Sequence, residues 1–300
     1  MAGPLFIVGV DRSGTTLLAL MLGMHSMVWI PYESHFHVTL YERYNDDPRL
    51  GEGAFNTRIV DEIRAQKYVR EWGVDIPDDI DVGACTTLAC IFETFHAACA
   101  AAQGKRLWGD KTPRYIVHLD VINALFPAAR FVHIVRDGRD VARSLVNMWW
   151  GPKDFASALE YWARRVELGS KMLGMLPGER RMLIRFEDLV RAPREELQRV
   201  TAFLDIPFEE RMLEYHAEAA ERVGERIRQH HANLTQAPRP ELTYKWKQAL
   251  SPADQALAWQ LAGTMLAKFG YEPGVREHPL RLARKIYYLG SRFVRCRFGA

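Results

Sequence analysis

Gly9-Val-Asp-Arg-Ser-Gly-Thr-Thr16 sets two glycines five positions apart around one arginine, with three hydroxyls close by. The spacing is that of a phosphate loop, G-x-x-x-x-G, which opens a helix and aims several backbone N–H groups at one anion. The lysine that ordinarily follows the second glycine is absent. Thr15 stands there, and the cation is Arg12, inside the loop. A second cluster, Arg136-Asp-Gly-Arg139-Asp140-Val-Ala-Arg143-Ser144, offers a bidentate guanidinium and a hydroxyl about a helix start, suited to a second anion. Between them stand Pro31-Tyr-Glu33-Ser-His35 and Asp110-Lys111-Thr-Pro113. Glu33 is a candidate proton acceptor, with His35 as the rival base, and Lys111 a candidate partner for developing negative charge. Asp110 either orients Lys111 or caps the following helix.

These residues need elements to position them. Leu5–Gly9 reads as a buried parallel strand and Gly14–His25 as the helix behind the loop. Val28–Ile30 predicts a second short strand. Glu33 to Lys105 is mostly helical in pattern, broken by the turn-rich Trp72–Asp81 stretch. Arg106–Gly109 predicts a strand end, and Pro113 suits the first turn of a helix over Arg114–Leu125. Arg130–Val135 is the best strand in the middle of the chain. Helices over Asp137–Met148 and Phe155–Leu173, a strand at Arg181–Phe186, and helices over Arg194–Leu204 and Pro252–Lys268 follow. Strands alternating with helices predict an α/β fold: a P-loop-like parallel sheet flanked by helices, with a helical insertion at about 34–105 and a helical C-terminal part. Ligands of such sheets bind at the carboxyl ends of the strands, where the charged clusters fall.

On these residues the chain resembles the sulfotransferases that use 3′-phosphoadenosine 5′-phosphosulfate (PAPS), in particular their bacterial and tyrosylprotein-type branch. Arg12-Ser-Gly-Thr-Thr16-Leu is similar to that family's 5′-phosphosulfate loop. Arg136-Asp-Gly-Arg139, with Ser144 eight positions after Arg136, is similar to its 3′-phosphate motif. Glu33 falls where the branch carries its catalytic carboxylate, and Lys111 where it carries a lysine beside the sulfonate. Phe186-Glu-Asp-Leu189 resembles a Tyr-Glu-Asp-Leu segment, with the hydroxyl lost. Thr243-Tyr-Lys245-Trp246 resembles a late segment that closes over the nucleotide. The resemblance runs from about Leu5 to Phe269. It implies PAPS as donor and adenosine 3′,5′-bisphosphate (PAP) as product, held by Arg12, Ser13, Gly14, Thr15, Thr16, Lys111, Arg136, Ser144 and Lys245, with no metal.

Sulfonate transfer to a hydroxyl or amine resembles phosphoryl transfer: the protein aligns the reactants and stabilises charge. Arg12 and Lys111 would meet charge on the bridging oxygen, and Glu33 would take the acceptor's proton, an apolar pocket raising its pKa toward neutrality. A metal-dependent P-loop kinase is a second reading, with Asp137 as the metal-holding Asp; the missing loop lysine argues against it. A non-enzymatic nucleotide-binding or membrane-docking protein is a third, and it would make Glu33 and Lys111 dispensable. No motif marks the acceptor: sugar, lipid, phenol and peptide all stay open, with a small-molecule, glycan or lipid-linked one expected. Met148-Trp-Trp-Gly-Pro152 either walls a pocket or packs in the core.

Eight Trp, 11 Tyr and 14 Phe in 300 residues supply a large core and exclude disorder as the main state. Four cysteines exclude a disulfide scaffold; Cys85, Cys90, Cys99 and Cys296 lack paired spacing and read as reduced, mostly buried thiols of a cytoplasmic protein. His35 and His37 lack further ligands for a metal. A net charge of +3 is too balanced to imply nucleic acid. Thr15–Tyr32 carries no charged residue over 18 positions, near the lower limit for a membrane span, but its loop and strand context reads as a buried core. Residues 1–274 are expected to form the sulfotransferase domain. Residues 275–300 hold seven Lys or Arg against one Glu, so the positive charge of the protein lies in this tail. Leu282, Ile286, Leu289 and Phe293 share one helical face. That composition suits peripheral contact with the inner face of an anionic membrane. The alternative is a helix docked on the body by the same stripe.

Overall fold

The structure, a computed structural model, describes residues 3–217 and 236–298, apart from the side chains of Leu242 and of residues 290–298. Five strands form one parallel sheet: β1 (Leu5–Val8), β2 (Val28–Trp29), β3 (Leu107–Asp110), β4 (Arg130–Val135) and β5 (Arg181–Arg185), in the order β2-β3-β1-β4-β5. In register, Leu5 lies opposite Gly109 on one side and Arg130 on the other. All of β1 is buried, which is why its sequence is an unbroken apolar run. β5 is an edge strand and buries only Ile184. Because β1 lies between β3 and β4, the loops that follow these three strands open side by side at the centre of the sheet.

Helix α1 (Thr15–Gly23) is buried almost all round, packed with Ile7, Val132 and Leu197. Its burial accounts for the uncharged Thr15–Tyr32 stretch, which divides into a nine-residue helix, a turn and β2. Among the described residues no helix is long and apolar enough to cross a membrane. Four helices lie between β2 and β3: α2 (Phe36–Tyr44), α3 (Gly53–Ala65), α4 (Lys67–Arg70) and α5 (Leu88–Ala102). Phe36, Ile59, Ile63, Phe92 and Phe95 from these helices join Phe6, Trp108 and Phe131 of the sheet in one core.

This region corrects the cysteine expectation. Cys85 and Cys90 form a disulfide, their Cα atoms 5.4 Å apart. The chain folds back at Val82–Cys85, and Thr87 caps α5 by accepting the Cys90 N–H at 3.2 Å. That cap brings together two cysteines whose spacing belongs to no recognised pairing motif. Cys99 is a buried thiol, as expected, and Cys296 lies outside the described side chains.

A 3-10 turn (Pro113–Val117) precedes α6 (Leu119–Leu125), so the single helix expected from Arg114 breaks at His118. The chain continues through α7 (Gly138–Leu145), α8 (Phe155–Gly174), α9 (Phe186–Arg191), α10 (Pro193–Phe203), α11 (Trp246–Ala249), α12 (Pro252–Lys268) and α13 (Leu280–Phe298). Val141, Leu159, Trp162, Ala262 and Leu266 pack α7, α8 and α12 into a further core against Val135. The tail helix α13 does not dock by the stripe read from the sequence. Tyr288 packs on Ala156 and Leu257, Arg284 pairs with Asp254, and Leu282, Ile286 and Leu289 are exposed. Phe293 lies outside the described side chains.

Candidate active site

The loop after β1 is closed by the Ser13 N–H donating to Val10 O at 3.0 Å. A Cβ on Gly9 would stand 2.5 Å from the Ile134 carbonyl. Gly14 has φ +96°, and a Cβ there would stand 2.3 Å from the Phe186 ring. Arg12 itself has φ +69°, a conformation unusual for a non-glycine residue and typical of sites where a side chain must be aimed. The first turn of α1 has no acidic residue and no side-chain cap, so its positive end faces the loop.

Arg12 Nε donates to Ser144 Oγ at 3.0 Å, and Arg136 Nη1 donates to Arg12 O at 3.3 Å. The two anion motifs, separated by more than a hundred residues, are thus one site. The Arg136 guanidinium lies 4.5 Å over the Phe186 ring. This ring seats Arg136 and packs beside Gly14. Burial first, then the Arg136 charge, hold the pKa of Arg12 below its ordinary value. Two converging guanidiniums repel, and an anion between them would relieve that cost. Ser13 Oγ and Arg136 Nε are buried without a hydrogen-bond partner. Orphaned donors beside paired cations fit the phosphates of a nucleotide donor.

Beneath this surface is a clamp absent from the sequence reading. Arg139 is fully buried, pairs with Asp137 at 2.7 and 2.9 Å, and lies 3.4 Å over the Trp246 ring. The Trp246 Nε1–H donates to Asp137 at 2.9 Å. Asp140 accepts the backbone N–H groups of Lys245 (3.1 Å) and Trp246 (2.9 Å). Glu187 accepts the Asp137 N–H and the Tyr271 hydroxyl, each at 3.0 Å. Both Asp137 oxygens are therefore engaged, which leaves it no metal-holding role. Lys245 reaches the site through its backbone, its side chain exposed.

On the other side of the loop, Lys111 Nζ donates to Glu33 Oε1 at 2.7 Å and lies 4.2 Å over the Tyr32 ring. The His35 Nε2–H donates to Glu33 Oε2 at 2.8 Å. His35 has φ +57° and packs on Tyr68, while His37 turns away to the buried His96, so the H-x-H pair does not converge. Burial pushes the Glu33 carboxyl up. The Lys111 charge, the bond and charge from His35 and the Lys111 bond outweigh it and hold the carboxyl at about 2. The expectation of a Glu33 pKa raised toward neutrality is therefore wrong for this state, because both oxygens face cationic donors. Asp110 is buried behind Lys111, and burial pushes its carboxyl up to about 6.

Asp11 is a residue the sequence reading passed over. Tyr161 Oη donates to it at 3.0 Å, and burial and then the charge of Glu33 push its carboxyl up. Tyr161 lies in mid-helix 150 positions later, so no spacing could have signalled the pair. In the aromatic turn, Trp149 is 74% and Trp150 44% exposed, which removes the core-packing reading for both.

A parallel sheet with this lysine-less loop at its centre frames the converging cations. The chain belongs to the Sulfotransferase family, whose model matches residues 4–210. It is 30% identical over 221 residues to the nodulation protein NoeE of Sinorhizobium fredii, covering 66% of this chain and 49% of that protein. The chain thus spans about half the length of NoeE. Protein-tyrosine sulfotransferase A of Caenorhabditis elegans is 23% identical over 284 residues, 90% of this chain and 67% of that one. The sulfotransferase domain from the curacin biosynthetic pathway has the same fold, with a TM-score of 0.62 at 24% identity over 91% of this chain and 99% of that domain.

Proposed function

We propose that the protein transfers a sulfonate from PAPS to a hydroxyl or amine and releases PAP. The Arg12–Ser144 hydrogen bond carries the reading, because it joins both anion motifs at the strand ends of a sulfotransferase-family chain. Ser13, Gly14, Thr15 and Thr16 hold the 5′-phosphosulfate end, Arg136 and Ser144 the 3′-phosphate, and Lys245 belongs to the segment that closes over the nucleotide. When the acceptor oxygen or nitrogen bonds to sulfur, the bond from sulfur to the bridging oxygen breaks. Arg12 and Lys111 neutralise the charge left on that oxygen, and the acceptor proton passes to Glu33.

Lys111 links the two halves of the step. With no donor bound it suppresses Glu33. As Lys111 turns toward the sulfonate, burial, the largest influence on Glu33, raises the carboxyl's affinity for a proton. The base gains strength only once the donor is loaded, and His35 keeps it aimed.

Residues 1–274 form the catalytic body. The acceptor is a small-molecule, glycan or lipid-linked one, met in the cytoplasm with peripheral membrane contact through residues 275–300. The test is calorimetric titration of wild type and Arg136→Ala with PAP and, separately, with ATP and magnesium. PAP binding that Arg136→Ala loses and ATP does not match supports the reading. Magnesium-dependent ATP binding with none to PAP overturns it in favour of a kinase.

A further inference from the structure

Tyr288 and Arg284 fix α13 to α12 and to the start of α8. At about 100° per residue, Leu282, Ile286 and Leu289 fall within about 60° of one another, on a face turned about 100–160° from Tyr288. They are 61%, 62% and 49% exposed. Three neighbouring apolar side chains left in water on one helix face mark an interaction surface. Arg281 and Lys285 lie on the same helix.

A second exposed apolar feature is the Trp149–Trp150 turn. Ala156, which receives Tyr288, lies seven positions after Trp149. Lys153 Nζ holds the aromatic turn by donating to the carbonyls of Met148 (3.4 Å) and Trp149 (2.7 Å), with both indoles outward. Exposed Trp and an exposed apolar stripe with basic neighbours both suit a lipid–water interface. Pairing with a second copy would bring two basic rims together, which repel, whereas an anionic surface complements them.

We propose that α13, with the Trp149–Trp150 turn, binds the surface of an anionic bilayer. The inference deepens the peripheral-contact part of the function reading and is independent of the transfer chemistry. Trp149 follows Ser144 by five positions along the chain, an arrangement that suits an acceptor presented by the bilayer.

The test is sedimentation of the full chain with vesicles of phosphatidylcholine alone, or of equal parts phosphatidylcholine and phosphatidylglycerol. Wild type is expected to sediment with the anionic vesicles and to be released by salt. The triple variant Leu282→Glu/Ile286→Glu/Leu289→Glu and the pair Trp149→Ser/Trp150→Ser are each expected to weaken binding at least about tenfold. PAP titration of each variant checks its fold and reads the transferase proposal separately. Wild type staying in the supernatant with both vesicle types overturns peripheral contact as a whole. Undiminished binding by both variants leaves contact standing and overturns this surface. A dimer that the triple variant breaks, with no vesicle binding, replaces the bilayer with a second copy.

Discussion

Glu33 holds Lys111 with one oxygen and His35 with the other, and each bond has its own consequence. Glu33→Gln removes the proton acceptor, and transfer is expected to fall by about 10²–10⁴-fold, read from single-turnover rates. The same change leaves the fully buried Lys111 ammonium without its counter-charge, a loss of about 3–5 kcal/mol at neutral pH by denaturant titration. The sign with pH follows from the shift: the carboxyl titrates at about 2 in the folded chain against 4.5 ordinarily. Its stabilisation is complete above 4.5 and drains away as pH falls toward 2, so the gap between wild type and Glu33→Gln narrows over that window. A gap of constant size across it would refute the pairing. The choice of a carboxylate after β2 was legible from the chain. Its suppressed basicity was not, since Lys111 lies 78 positions away and spacing says nothing of a salt bridge between strand ends.

At the scale of elements, the loop, α1 and α9 are interlocked at Gly14. Gly14→Ala would place a methyl against the Phe186 ring on a backbone with φ +96°. It is expected to cost about 1–3 kcal/mol of stability and to weaken PAP binding, because the ring that yields also seats Arg136. Adding Phe186→Ala removes the clash and keeps the backbone strain, so full recovery of stability in the double variant would contradict the account. Strand and helix placement was readable: β4 and α12 occupy the expected Arg130–Val135 and Pro252–Lys268, since apolar runs and proline starts are local signals. The contacts of α13 were not. Amphipathicity identifies a stripe but not what the stripe faces, and here Tyr288 holds the helix while the stripe meets water.

The whole molecule adds a constraint on compartment. Disulfides persist where the surroundings are oxidising, so the Cys85–Cys90 link and a cytoplasmic setting pull in opposite directions. Alkylation of the native protein followed by mass spectrometry is expected to leave Cys85 and Cys90 unlabelled until a reductant is added. Labelling without reductant would show the pair as thiols in solution. With the two cysteines only five positions apart, the link closes a short loop, and reduction is expected to cost no more than about 2 kcal/mol. The fold class and the strand-end placement of the two charged clusters were legible because each cluster is contiguous and follows a strand. The clamp beneath them was not, because it joins Asp137 and Arg139 to Trp246 across more than a hundred residues.

That clamp sets a lower bound on how short a working version of this enzyme can be. A chain ending at residue 210, where the family match stops, would keep Arg12, Lys111 and Arg136. It would lack the indole roof over Arg139 and the Tyr271 hydroxyl on Glu187. The fully buried Arg139–Asp137 pair would open to water at the start of α7. Trp246 and Tyr271 are thus part of the support beneath α7 rather than an accessory to it.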